Sequence, residues 1–299
     1  MQTNSARRIA SSRRMAQFFM HPSSLPAVRA VPHAPRRGES PVAALYENRF
    51  RCMDEVTLPG ADCQARHEPL ERYLAERDHV SASMLRRFAR GEEVQGQQLR
   101  SGSLGEALHA LLLEPRRFER EYWVPGRGEA IDEEAAASRT WLTAHEYDRL
   151  RGMRDAVLAH RRLPLAEWLE YGAREWSVYW SDADGGRWKA RPDCFNDEVV
   201  LEVKTTTDVR PQAFARARRR FRHDLQGAHY VEGIERLCGR APRFLFVSVE
   251  NVAPHYVWVH ELEGAALNAA RAELRALRTA FAAAPQAASP AALARASRR

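Results

Sequence analysis

The chain has 299 residues, of which 44% are hydrophobic and 28% are charged. This composition is typical of a soluble globular protein, and no stretch approaches the ~20 apolar residues that a membrane-spanning helix needs. The net charge of +7 is concentrated in residues 1–40, which hold seven arginines and one glutamate. Nucleic-acid binding must therefore be argued from local clusters and not from a basic body.

Four cysteines occur in the chain, and their spacing shows no pairs: Cys52, Cys63, Cys194 and Cys238. Iron–sulfur clusters usually draw on a close group of cysteines, so we expect no such cluster here. We interpret the four residues as reduced thiols of a cytoplasmic protein.

The two ends of the chain differ in composition from the middle. Residues 1–45 are rich in Arg, Ser, Pro and Ala without a clear period, which predicts a flexible basic tail. Two alternatives stay open for these residues: they could be an artefact of an upstream start codon, or they could be a targeting signal. We expect one domain over residues 46–284 and an Ala/Pro/Arg tail over residues 285–299.

The first half of the predicted domain is helical. "HVSASMLRRF" predicts a helix start with Ser81 or Ser83 as N-cap. In "SLGEALHALLLEPRRF" the leucines form one apolar stripe of a helix, and Pro115 comes where that helix should stop. Residues 124–138 are typical of a loop, and we expect another helix at about 140–161.

The second half mixes strands and helices. "REWSVYW" and "RWKARPD" predict a hairpin around "DADGG", and "EVVLEVKTT" predicts a third strand. A long helix is expected over about 211–238, then the strands "RFLFVSVE" and "HYVWVHEL", and a helix over 263–284. This order is typical of a mixed α/β domain.

The stretch "RPDCFNDEVVLEVKTT", residues 191–206, concentrates charge where a buried strand is predicted. Because side chains alternate along a strand, Glu202 and Lys204 share one face while Val199, Leu201 and Val203 share the other. A hairpin through "CFNDE" can bring Asp193 beside Glu202.

Two carboxylates and one ammonium suit phosphodiester hydrolysis, since the carboxylates can hold Mg²⁺ and the ammonium can orient water or neutralise charge. Lys204 is one of only two lysines beside 44 arginines, and a compact ammonium fits this role better than a guanidinium. The alternative is an exposed strand face with a simple Glu–Lys pair.

Two further pairs occur at helical spacing. "GEALH" places Gly105 and His109 on one helix face, where the glycine allows close approach of another backbone and the histidine can ligate a metal. "QGAHY" places Gln226 and Tyr230 on one face of a later helix, where they could order the lysine or touch a phosphate. The alternatives are a structural histidine and an ordinary half-buried Gln and Tyr.

Together these motifs resemble the PD-(D/E)XK nuclease superfamily. "RPD" and "LEVK" match its acid and acid-x-lysine elements, and "GEALH" and "QGAHY" match the elements of its recombination-type exonuclease branch. Over roughly residues 76–265 the chain is most similar to the exonuclease VIII (RecE-like) C-terminal nuclease domain of bacteria and prophages.

The resemblance implies a restriction-endonuclease-like core, with a mixed central sheet flanked by helices, and metal-dependent hydrolysis of DNA. It implies Mg²⁺ or Mn²⁺ held by His109, Asp193, Glu202 and the carbonyl of Val203, with Lys204 as base or water-positioning residue. Gln226, Tyr230 and Arg191 would support the site or bind DNA. Relatives often form rings and often work beside a single-strand annealing protein.

Several residues outside these motifs are candidates for DNA contact. The segment "RPQAFARARRRFR" has six arginines and no acid, which favours phosphate binding over a solvated helix face; the candidates are Arg216, Arg218, Arg219 and Arg220. Ser81 and Ser83 could form a second anion site. Trp176, Trp180 and Trp188 are expected to pack in the core.

The leading hypothesis is a Mg²⁺-dependent DNA exonuclease that degrades linear duplex DNA in phage-type recombination or repair. The first alternative is an endonuclease of the same superfamily. The second is a non-catalytic DNA-binding or assembly module, which the intact set of Asp193, Glu202 and Lys204 disfavours.

Overall fold

The computed structural model describes residues 56–59, 63–92, 103–124 and 138–284. In chain order its elements are β1 (Val56–Pro59), β2 (Cys63–His67), α1 (Leu70–Ala75), β3 (Val80–Ser81), α2 (Ala82–Ala89), α3 (Leu104–Leu113), α4 (Pro115–Glu121), β4 (Tyr122–Trp123), β5 (Thr140–Trp141), α5 (Ala144–Leu158), α6 (Leu165–Tyr171), β6 (Ala173–Arg174), β7 (Ser177–Ser181), β8 (Arg187–Ala190), β9 (Cys194–Phe195), β10 (Val199–Thr206), α7 (Pro211–Phe221), α8 (His223–Cys238), β11 (Arg243–Glu250), β12 (Val257–Glu261) and α9 (Gly264–Ala283).

A mixed five-stranded sheet forms the centre, in the order β12-β11-β10-β9-β6. Strands β10 and β11 are parallel and pair over their full length, from Val199 opposite Arg243 to Thr206 opposite Glu250. The other neighbours in this sheet are antiparallel. The parallel pair is the one that needs a crossover, and the helices α7 and α8 supply it.

A second five-stranded sheet has the order β1-β2-β7-β8-β3. The chain crosses directly from one sheet to the other at two places, from β6 to β7 and from β8 to β9. Glu175 lies in the first crossing and Asp193 in the second, and the amide of Glu175 donates to the carbonyl of Asp193 at 3.0 Å. We call this pair of crossings the seam.

Two apolar cores lie on the two faces of the central sheet, and the residues of β10 divide between them. Val199, Leu201 and Val203 pack in the core formed with α3, α4, α5 and α6. Val200 packs in the core formed with α2, α8, α9 and the second sheet. The expected alternation along this strand is therefore confirmed, and so is a mixed α/β fold with helices on both faces.

Several local predictions are confirmed. The hydroxyl of Ser81 caps α2 by accepting from the amide of Met84 at 3.3 Å. Helix α3 ends at Leu113, and Pro115 occupies the first turn of α4. Trp176, Trp180 and Trp188 are buried in the core, as expected.

Other local predictions are wrong. The helix expected over 211–238 is two helices, because Arg222 adopts a left-handed conformation with φ of 52° between α7 and α8. Helix α6 was not predicted, since its seven residues are too few to show a helical period. Most of the expected loop (residues 125–137) and both expected tails, residues 1–45 and 285–299, lie outside the described residues. Within the described ranges, no helix combines the length and apolar character needed to cross a membrane.

Helix α8 packs closely on the second sheet at Gly233. A Cβ atom there would lie 2.7 Å from Cζ3 of Trp180, a ring that is itself buried. In an open helix, Gly→Ala would raise stability by about 1 kcal/mol. We predict instead that Gly233→Ala lowers the free energy of unfolding by about 1–3 kcal/mol, because the ring cannot retreat. Urea unfolding checks this, and an unchanged or higher midpoint would contradict the close packing.

Candidate active site

The site forms at the seam, where both carboxylates of the two chain crossings are largely buried. Asp193 directly precedes β9, and its Oδ2 accepts from the amide of Val203 in the neighbouring strand at 2.5 Å. Register explains this contact, since Cys194 pairs with Leu201 and Asp193 therefore faces the next residues of β10. The structure thus places Asp193 beside the end of β10 that carries Glu202 and Lys204, as the sequence predicts.

Helix α3 brings His109 to the seam from the face of the central sheet that carries Val199, Leu201 and Val203. Its Nε2 lies 3.1 Å from the carbonyl oxygen of Val203, and its Nδ1 lies 3.4 Å from Oδ1 of Asp193. Gly105, one turn earlier, allows this approach, because a Cβ atom there would lie 3.0 Å from Oγ1 of Thr205. The contact is thus to a side chain of β10, whereas a backbone contact was expected.

Glu175 completes the group, and the sequence analysis did not identify it. One ligand atom each from His109, Glu175 and Asp193 lie within 4.8 Å of one another. Glu175 has a φ of 55°, which non-glycine residues rarely adopt and which concentrates at functional sites. A lone Glu near the start of the predicted strand "REWSVYW" belongs to no motif, so only the fold could have found it.

Arg191 holds Glu175 in place. Its Nε donates to Oε2 of Glu175 at 2.9 Å, and its Nη1 donates to the carbonyl of Glu68 and the hydroxyl of Ser177, both at 3.0 Å. Arg191 is buried. Arg191 was predicted to support the site or to bind DNA, and its burial favours support.

Glu202 and Lys204 lie on the face of β10 opposite Val199, Leu201 and Val203. Lys204 Nζ donates to Oε1 of Glu202 at 2.5 Å, and Nε2 of Gln226 donates to the same oxygen at 2.7 Å. Gln226 also donates to the hydroxyl of Tyr230 at 3.1 Å. The Gln–Tyr pair of α8 therefore orients Glu202 directly, and it orients Lys204 only through the carboxylate of Glu202.

Proximity of three carboxylates shifts the ionisation of the site. Burial opposes a charged imidazole, but Asp193 and Glu175 outweigh it and raise the pKa of His109 to about 9. Burial and the nearby charge of Glu202 raise the pKa of Asp193 to about 8. For Glu175, burial is outweighed by His109 and Arg191, which lower its pKa. His109 and Asp193 therefore stay protonated near neutral pH. This is expected where buried carboxylates outnumber the positive charges beside them.

The donor set fits a hard divalent cation. Carboxylate and carbonyl oxygens with one imidazole nitrogen suit Mg²⁺ or Mn²⁺. Oε2 of Glu202 is buried and has no hydrogen-bond partner in the described part of the chain, and buried carboxylate oxygens normally have one. The group whose ligand atoms lie within 4.8 Å of one another holds His109, Glu175 and Asp193 but not Glu202. Glu202 and the Val203 carbonyl stay predicted ligands, and a cation bound by Glu202 would satisfy its partnerless oxygen.

The predicted DNA-binding arginines are only partly free. The segment itself contains no acid, but acids outside it pair with three of its arginines: Arg210, Arg218 and Arg222 pair with Asp208, Asp224 and Glu273. Those acids flank the segment or come from α9. Arg216, Arg219 and Arg220 are exposed and form no ion pair with any residue of the described ranges.

The serines at the start of α2 contact each other. The hydroxyls of Ser81 and Ser83 lie 2.8 Å apart, and Ser81 is buried as the helix cap. An anion site at this position stays a prediction.

Comparisons with known proteins identify the family. A profile of the family described as "PDDEXK-like domain of unknown function (DUF3799)" matches residues 81–290. The chain belongs to this family, and with it to the PD-(D/E)XK nuclease superfamily and its restriction-endonuclease-like fold. The resemblance on which the site was predicted is thereby confirmed at the level of the superfamily. This fold and site define a nuclease-like domain.

Two solved structures are similar at low identity. One, from Eubacterium rectale, is described as "Putative exonuclease"; it is 12% identical, with 71% of this chain and 86% of that chain covered, at a TM-score of 0.48. The other, described as SSO0001, is 14% identical, with 72% and 84% covered, at a TM-score of 0.32. No curated protein matches the chain.

Metal affinity should rise with pH. His109 and Asp193, with pKa values of about 9 and about 8, must lose protons before they can bind a cation. We expect Mn²⁺ affinity to increase at least roughly tenfold from pH 6.5 to 9 and to level off above that. Calorimetry in buffers of different ionisation enthalpy would also detect the released protons. Affinity that stays constant over this range would contradict the ligand assignment.

Glu175→Gln tests the residue that the sequence analysis missed. The amide oxygen can still accept from Arg191, so we expect the fold to persist, while the lost charge weakens Mn²⁺ binding by at least about 10-fold. The matched control is Glu167→Gln, an exposed acid on α6, which should bind as wild type does. Equal affinity of both variants would remove Glu175 from the site.

Proposed function

We propose that the protein is a Mg²⁺-dependent DNA exonuclease of the recombination-type branch, acting on linear duplex DNA in phage-type recombination or repair. The observation that carries the proposal is the convergence of Asp193, Glu202 and Lys204 with His109 from α3 and Gln226 from α8. The "GEALH" and "QGAHY" elements that mark this branch both reach the site. A ring assembly and an annealing partner are implied by the resemblance alone.

The chain's own residues divide the chemistry between them. His109, Asp193, Glu175, Glu202 and the Val203 carbonyl would hold Mg²⁺, which would polarise the phosphodiester and lower the pKa of a bound water. Lys204 uses one N–H on Glu202, and its side chain is 25% exposed. Its other N–H groups can therefore orient the attacking water or stabilise charge on the phosphate.

Gln226 sets the position of this pair. By donating to the oxygen of Glu202 that also accepts from Lys204, it fixes the carboxylate on which the lysine rests. Tyr230 accepts from Gln226, so α8 supports the carboxylate–lysine pair through two linked side chains. Such support keeps reactive groups within the narrow tolerance that catalysis needs.

Phosphate binding falls to the exposed arginines of α7. Arg216, Arg219 and Arg220 follow the catalytic strand in sequence and have no acidic partner in the described ranges. Contacts of this kind hold the DNA backbone without reading its sequence.

Two other functions compete with this proposal. An endonuclease of the same superfamily would use the same site but would also cut covalently closed circles. A non-catalytic DNA-binding or assembly module would bind metal and DNA without turnover. The complete carboxylate, lysine and histidine set favours an enzyme over the module.

Digestion of end-labelled linear duplex DNA in Mg²⁺ tests the proposal, with a closed circular duplex alongside. We expect the wild type to degrade the linear DNA alone, and Lys204→Ala to be slower by at least about 10²–10³-fold. The control is Arg187→Ala, an exposed cation paired with Asp78 on the second sheet, which should retain activity. Cutting of the circle would favour the endonuclease, and no cleavage with Mg²⁺ or Mn²⁺ would favour the binding module.

A further inference from the structure

The corner between α7 and α8 holds an aromatic side chain at the surface. Phe221 is the last residue of α7, and 49% of its surface is exposed. Arg222, which follows it, has the left-handed backbone conformation and pairs with Glu273 of α9. That ion pair ties the corner to a neighbouring helix, so Phe221 is presented from a braced turn.

Two arginines contact Phe221, one at its ring and one at its backbone. The guanidinium carbon of Arg220 lies 5.3 Å from the centroid of the Phe221 ring. Nη1 of Arg86, on α2, donates to the carbonyl of Phe221 at 3.2 Å. Arg219 and Arg220 are exposed beside it. An apolar face inside a positive patch is the combination that holds single-stranded nucleic acid, through backbone attraction and base stacking.

The corner also adjoins the candidate active site. The ring of His223 lies 5.5 Å from that of Phe221, centroid to centroid. The same His223 ring lies 5.9 Å from that of Phe246, whose backbone pairs with Glu202 across β10 and β11.

Exposed apolar side chains are common on protein surfaces and usually need no explanation. Trp141, which is 50% exposed, is such a case: it lies on β5, whose pairing partner β4 packs on the opposite face of the central sheet. Phe221 differs from it in lying among arginines, and the His223 ring links it to Phe246, the partner of Glu202 in the central sheet.

We propose that Phe221 stacks on a nucleobase of the bound DNA strand, while Arg219 and Arg220 hold the phosphates on either side of that base. The inference rests on the proposed function and deepens it. Inside a duplex both faces of each base are covered by neighbouring base pairs. A side chain that stacks therefore selects a duplex end or an unpaired strand, which is the substrate of an exonuclease.

Photocrosslinking in the Lys204→Ala protein, which we expect to cleave DNA only slowly, tests this with little turnover. Linear duplexes would carry 5-iodouracil at each of the last three positions of either strand, since this base crosslinks to aromatic rings that stack on it. We expect one position to crosslink to Phe221 by mass spectrometry. Phe221→Ala should lose that crosslink and bind DNA ends on the order of 10-fold more weakly by fluorescence anisotropy. Phe221→Trp should retain both, and Trp141→Ala should change neither.

The inference is overturned if Phe221→Ala binds ends as tightly as its parent and no crosslink maps to the corner. The corner would then be a plain surface turn or a contact for another protein. This failure is distinct from failure of the proposed function, which is read from wild-type cleavage and not from binding. A protein that does not bind DNA at all would overturn both.

Discussion

The whole site depends on how buried negative charge is neutralised at the seam between the two sheets. Asp193, Glu175 and Glu202 are all largely buried, and three carboxylates in such a place repel one another strongly. Each is therefore matched by a specific donor: the Val203 amide, Arg191, and the Lys204–Gln226 pair. Losing one partner of a buried charge costs about 3–5 kcal/mol, so the same contacts hold the fold and set the chemistry.

The residual imbalance explains why the site is suited to a cation. His109 and Asp193 keep protons to unusually high pH, and one oxygen of Glu202 has no partner in the described part of the chain. The protonated Asp193 and the partnerless oxygen of Glu202 both reflect buried negative charge that exceeds its partners, and a divalent ion would compensate it. Contributions come from both helical layers, with His109 on α3 and Gln226 on α8. The geometry therefore requires that both layers stay packed on the central sheet.

Sequence patterns were reliable where a single element set the geometry. Alternation along β10 and the cap at Ser81 follow from local backbone geometry. The unbroken helix over 211–238 was wrong, because a non-glycine residue in the left-handed conformation leaves no mark in the sequence. The rarity of lysine was also an incomplete guide. Lys189, the other lysine, is buried and donates to the carbonyls of Tyr73 and Glu76 at 2.6 Å each, so a compact ammonium can serve structure alone.

The sequence by itself determined which side chains share a strand face or a helix face, and through its motifs the superfamily and the core of the site. Glu202 with Lys204, and Gln226 with Tyr230, are neighbours because the period of one element places them so. Only the tertiary structure decided that Glu175 joins the site, that Arg191 turns inward to hold it, and that His109 meets a carbonyl 94 residues away. Those contacts depend on how separate elements pack and where the chain crosses between sheets, which no local pattern encodes.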